Sequence, residues 1–289
     1  MKFTFHSFLP ALVGGFIATV NLPAAEPASL SALQMAEQFQ PAACEGVYPN
    51  HLQGICTDER NAIFWSWTDA LVKTDLQGHI LKQVKAPTHQ GDLCYRDGKI
   101  YVAVNLGKFN LPAGRADSWA YIYDADTLAE LARHRLPEVV HGAGGIACHD
   151  GKFIVVGGLP EAVNENYLYE YDAAFTFQKR HALASGYTDK GIQTAAFADG
   201  SWWFGCYGKP ARLLRADAAF QLTGNWQFDA AFGIVGLADG RFLIGQNTRA
   251  KGMANQGRVV AARADAKKGL VVAAKSDGNQ RPPAKANAP

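Results

Sequence analysis

The sequence predicts an all-β chain folded as a five-bladed β-propeller of four-stranded antiparallel blades. Three observations predict it. One hairpin pattern occurs five times, each copy is followed by two further β-rich stretches, and no helical periodicity competes with this after Pro49.

The first copy opens at His51-Leu52-Gln53-Gly54-Ile55-Cys56 and returns through 62–67. The second spans 89–98 and returns through 99–104, and the third spans 141–151 and returns through 152–157. The fourth uses 191–200 and 201–207, and the fifth 232–240 and 241–246. Copies two to five turn on Asp97-Gly98, Asp150-Gly151, Asp199-Gly200 and Asp239-Gly240. Asp-Gly between two β-rich runs signals a tight hairpin, because both central turn positions need φ above zero. A third strand follows each hairpin, at 70–75, 120–124, 167–172, 212–217 and 259–265, and a more polar fourth at 80–85, 130–136, 177–183, 224–228 and 270–275. Four antiparallel strands repeating about every 40 to 50 residues make one propeller blade. Strands this short cannot bury their faces alone, so the blades must stack around an axis.

The flanks read differently. Met1-Lys2, an apolar run over 8–20 and small residues ending at Pro23-Ala24-Ala25 form an export signal over 1–25, with the alternative that it stays as an uncleaved anchor. The run is short of the roughly 20 residues a spanning helix needs. The expected mature protein is exported, periplasmic or extracellular, and monomeric. An extension over 26–47 could help close the ring, 30–39 forming a helical turn or a strand, and the propeller occupies 48–275. The Pro-, Ala-, Asn- and Lys-rich tail 276–289 can bury almost nothing and is expected to be disordered. Lys plus Arg number 28 against 26 Asp plus Glu, without clustering, so nothing points to nucleic acid. Five cysteines, Cys44, Cys56, Cys94, Cys148 and Cys206, form no CxxC pair, and the odd count leaves one thiol unpaired in a monomer. Cys56, Cys94 and Cys148 lie in apolar strands and read as small buried hydrophobes.

Leu52-Gln53-Gly54-Ile55 resembles the Thr-Gln-Gly-Leu that opens the first blade of glutamine cyclotransferases, and the repeat as a whole resembles the extracellular propellers that include NHL-type proteins. The resemblance implies five blades and acyl cyclisation with a catalytic Glu in the second blade. Here Gln90-Gly91-Asp92-Leu93 puts Gly91 where that Glu would stand.

In a blade the innermost strand lines the channel, so residues at the five strand starts share one mouth. His51, His89 and His141 open three successive blades. His51 and His89 are in one register, His141 is one residue off it, and Gln53 and Gln193 occupy matching places in blades one and four. Converging imidazoles favour a divalent ion such as Zn, Mn or Ca, with His51, His89 and His141 as ligands and Gln53 or Gln193 completing the sphere. His149 belongs to the opposite end of its strand, and His79, His134 and His181 to turns or outer strands. Substrate-contact candidates on the mouth loops are Trp67, Asn105, Lys108, Arg115, Tyr207, Lys209, Gln246 and Asn247, since aromatics beside amides and cations line sugar and small-anion pockets. Acid–base candidates are Asp92, Glu138 and Asp189. The reading is an exported metal-dependent lyase or hydrolase acting on a saccharide or small anion. The alternatives are a non-catalytic ligand- or protein-binding propeller and a cyclotransferase-like activity.

Overall fold

The structure, a computed structural model, describes Met1, 39–249 and 254–273 of the chain. The expected export signal beyond Met1, residues 30–38 and the tail lie outside these residues.

Four sheets are four-stranded meanders ordered from the axis outward. Blade one is Leu52–Thr57, Ile63–Trp67, Ala70–Thr74 and Ile80–Lys85. Blade two is Gln90–Arg96, Lys99–Asn105, Ser118–Asp124 and Glu130–Arg135, and blade three Ala143–His149, Lys152–Gly157, Asn166–Tyr171 and Phe177–Leu183. Blade four is Asp189–Ala198, Ser201–Tyr207, Arg212–Ala216 and Leu222–Gln227. Blade five runs Ile234–Gly236, Arg241–Arg249 and Asn255–Asp265, and two short strands share its outer edge. Gly269–Val272 pairs with Ala262–Asp265, and Ala42–Ala43, from the beginning of the described chain, pairs with Val259 and Arg258. The ring is thus closed by strand pairing between its two ends.

Five hydrophobic clusters fill the five interfaces between blades. Strand alternation sends successive side chains to opposite neighbours, so strands inside a blade are apolar on both faces. In Ile63–Trp67, Ile63, Trp65 and Trp67 pack toward blade five, while Phe64 packs toward blade two. Trp67 is fully buried and stacks on Tyr48 with ring centroids 3.8 Å apart, a contact worth roughly 0.5–1.5 kcal/mol beyond its buried area. Trp67 therefore belongs to the interface between blades five and one, a correction to its expected place on a ligand surface.

The aspartate after each third strand has one local task. Asp75, Asp124, Asp172, Asp217 and Asp265 each accept two backbone N–H bonds through Oδ1 from the turn that follows. This is the Asx turn that aspartate forms readily. Its repetition five times is what made the third strands recognisable in the sequence.

Asp172→Ala removes bonds of 2.9 and 2.8 Å from Ala174 and Thr176. We expect a loss of about 1–2 kcal/mol in urea unfolding with an unchanged m-value. An unshifted midpoint would show that the turn holds without its cap.

Candidate functional site

The mouth of the channel is built by irregular strand starts. Ladder register breaks between Leu52 and Gly54, Gln90 and Leu93, Ala143 and Gly145, and Ile192 and Thr194. A bulge leaves its extra residue unpaired and re-aims its side chain. In blades one and four that residue is Gln53 and Gln193, and both line a cavity of about 180 Å³ at the channel mouth. Blade three has Gly144 there and blade two has Gly91 with Asp92, and the two strands nearly touch: a methyl group at Gly91 would lie 2.1 Å from the Gly144 carbonyl oxygen.

The polar lining is rich in donors and imidazoles. Blade one gives His51 and Gln53, blade two His89, Gln90 and Asn105, and blade four Lys190, Gln193 and Tyr207. The Gln53 amide nitrogen donates to His51 Nε2 at 3.1 Å and to Thr68 Oγ1 at 3.1 Å. An amide nitrogen can only donate, so His51 Nε2 is the acceptor and its neutral ring carries the proton on Nδ1. The Tyr207 hydroxyl lies 3.3 Å from the same Nε2. Burial, then the Lys190 ammonium, hold the His51 pKa below its ordinary 6.5. Burial also pushes the Tyr207 phenol up, which keeps it protonated.

His89 stands immediately before its inner strand with φ 63°, a place taken by Gly142 (φ 100°) and Gly233 (φ 137°) in blades three and five. A side chain in this left-handed region costs roughly 1 kcal/mol or more, and such strain gathers at functional sites. Lys190 has φ 57°, and Gln193 Nε2 donates to its carbonyl at 2.7 Å. Gln90 is locked beneath them, accepting from the Ser66 hydroxyl at 3.4 Å and donating to the Tyr123 hydroxyl at 3.2 Å. Asn105 lines the cavity but spends its amide on the blade-two loop, accepting from Asp117 N–H at 3.0 Å and donating to the Gly107 carbonyl at 3.3 Å. Phe109 of that loop completes the wall. Outside the cavity an open depression of about 510 Å³ shares His51, Lys190 and Tyr207 and adds Asp189, Lys209 and Phe232.

Several expected residues lie elsewhere. His141 does not join His51 and His89. Its one-residue offset is not absorbed, so Gly142 takes the place that His89 holds, and His141 Nδ1 donates to the Leu111 carbonyl at 2.9 Å. Among the described residues no three His, Cys, Asp or Glu side chains are placed to hold a metal ion, so the expected three-imidazole site does not assemble. Glu138 accepts from the Tyr171 hydroxyl at 3.0 Å. Asn247 ties blade five to blade one, its Oδ1 accepting from Leu52 N–H at 3.0 Å and its Nδ2 donating to Asn255 Oδ1 at 3.1 Å. Gln246 sits in the ladder opposite Arg258. Lys108 and Arg115, paired through their backbones at 2.7 Å, are exposed on the outer loop.

Asp92 is fully buried below the cavity. Its Oδ2 accepts from Ala195 N–H of blade four at 3.1 Å, and a methyl group at Gly54 of blade one would stand 2.1 Å from Oδ1. Burial pushes this carboxyl well above the usual carboxylate range, against the pull of the backbone N–H groups of Ala195, Leu93 and Ile55. Asp92 is thus a buried plug across blades one, two and four rather than an acid–base group facing ligand.

No family model and no curated protein matches the sequence. Solved structures do match the fold. A xylan β-1,4-xylosidase from Bacillus halodurans C-125 is 13% identical with a TM-score of 0.57, the match covering 79% of this chain and 56% of that one. A protein of unknown function from Bacteroides caccae is 14% identical with a TM-score of 0.49, covering 78% and 90% of the two chains. The likeness to the xylosidase, at 13% identity, shows the fold alone.

The plug has a measurable signature. A carboxyl raised above its unfolded value of 3.8 contributes fully below that pH, and its contribution falls as pH rises toward the folded value. From about pH 4 upward the parent protein is therefore expected to lose melting temperature relative to Asp92→Asn, which cannot ionise. Parallel pH profiles for the two proteins would show that Asp92 is ionised in the fold.

Proposed function

We propose that the channel mouth binds a small carboxylate-bearing saccharide and that His51 removes a proton from it, a lyase-type elimination. The observation that supports this reading is the composition of the inner cavity: a lysine, two imidazoles, amides and a phenol, with no Asp or Glu among its lining residues. Such a lining favours an anion and offers many donors to hydroxyls. At about 180 Å³ the cavity suits a single small ring or acid fragment, being smaller than the roughly 300–1,000 Å³ of pockets for drug-sized ligands. The adjoining depression would take the remainder of a longer ligand.

The chemistry follows from the positions of three groups. Lys190 would pair with the carboxylate and lower the cost of charge developing on it when the adjacent C–H proton leaves. His51 Nε2, an acceptor in a ring kept neutral by burial and Lys190, would take that proton. The bond from the next carbon to its oxygen substituent then breaks, and the Tyr207 hydroxyl, 3.3 Å from His51, would protonate the departing oxygen. The product is an unsaturated acid. The export signal read from the sequence would place this activity outside the cytoplasm.

The test is calorimetry and ultraviolet absorbance with uronic acids, short oligouronides and their neutral counterparts, beside peptides with N-terminal Gln that the cyclotransferase resemblance would favour. Acidic saccharides should bind at least about tenfold more tightly than neutral ones, with that preference lost in Lys190→Ala. Turnover should fall about 10²–10⁴-fold in folded His51→Ala. The acid limb of kcat/KM should lie below pH 6.5, the ordinary value from which His51 is lowered. Equal binding of acidic and neutral sugars would overturn the proposal, and tight binding without any unsaturated product would remove its catalytic half.

A further inference from the structure

The innermost strands of blades two and three carry Cys94 and Cys148, near the ends remote from the ligand cavity. Both side chains pack against one cluster between those blades and both are half-buried. The two thiols interact with each other across the interface, and Cys148 Sγ donates to the Tyr95 carbonyl at 3.5 Å. Interacting thiols on the inner strands of neighbouring blades are placed to form a disulfide once their sulfurs reach bonding distance. The other three cysteines, Cys44, Cys56 and Cys206, are fully buried.

We propose that Cys94 and Cys148 are a redox-active pair that forms a reversible disulfide stapling blade two to blade three by exchange with an external disulfide. Cys148 is the attacking thiol. The hydrogen bond from Cys94 and the charge of Arg96 hold it below the ordinary thiol range, whereas burial pushes Cys94 well up. The thiolate is the nucleophile in exchange. Its sulfur bonds to one sulfur of the external disulfide and releases the other as a thiolate. Cys94 then loses its proton to solvent and bonds to Cys148 sulfur, expelling the second external thiolate. Two protein thiols are oxidised and one external disulfide is reduced to two thiols. The remaining cysteines cannot compete, since burial pushes Cys44 to about 11, Cys206 to about 12 and Cys56 well above the ordinary range. An exported protein would meet suitable disulfides in its own compartment. The proposal does not depend on the function assigned to the cavity.

The test is treatment of the purified, folded full chain with oxidised glutathione, followed by peptide mass spectrometry without reduction. The expected product is a cross-link between the peptides holding Cys94 and Cys148, reversed by dithiothreitol, with a melting temperature raised by several degrees. Cys94→Ser should accumulate glutathione on Cys148, whereas Cys148→Ser should label the more deeply buried Cys94 more slowly. Absence of the cross-link in folded protein, a cross-link formed only in urea, or preferential labelling of Cys56 would each overturn the proposal.

Discussion

The fold depends on how closely the five innermost strands approach one another at the axis. There is no space for side chains where Gly54 faces Asp92 and Gly91 faces the Gly144 carbonyl. The remaining gap is filled by one carboxyl, Asp92, bonded to Ala195 across the axis. Close approach buries this group completely, and burial favours its neutral form. The channel is consequently closed in its middle, and what is left open is a shallow mouth.

The contents of that mouth are a by-product of the same crowding. Strands packed this tightly cannot begin in regular register, and the irregular starts expel Gln53 and Gln193 into the cavity while Gly144 stays flat. The flat glycines of blade three leave room for Phe109, which would contact side chains at Gly142 and Gly144. Neighbouring irregularities hold Lys190 and His89 in left-handed backbone. The site is asymmetric for this reason: blades one, two and four furnish functional groups and blade three furnishes mainly space.

The architecture was legible in the sequence because its signals are local and repeated. Asp-Gly turns and the aspartate closing each third strand act within five residues of themselves, and they recur in step with the blades. The position of the mouth, and His51, His89, Gln53, Gln193, Asn105 and Tyr207 on it, followed from knowing which strand is innermost. The rest depends on register at single-residue precision. Gly142 rather than His141 precedes the third inner strand, a one-residue difference that turns the imidazole toward Leu111. Trp67 cannot be told from a ligand platform in the sequence because a strand buried on both faces shows no alternation. Lys190 reaches the cavity from the position directly before Gly191 at a strand start, a place its sequence neighbourhood marks only by the cation itself. Phe109 reaches the cavity only through the fold of a long loop, for which no local pattern exists.

The outer edge of the last blade is shared by Ala42–Ala43 and Gly269–Val272. As the chain leaves the ribosome, four blades are complete long before the segment that partners Ala42–Ala43 has been made. Until then, the flank of blade one lined by Trp65 and Trp67 lacks the part of its cover that blade five supplies, Leu237, Leu243 and Val259. Closure of the ring is therefore the last pairing the chain can make, because one of its two partners is among the final strands to be synthesised.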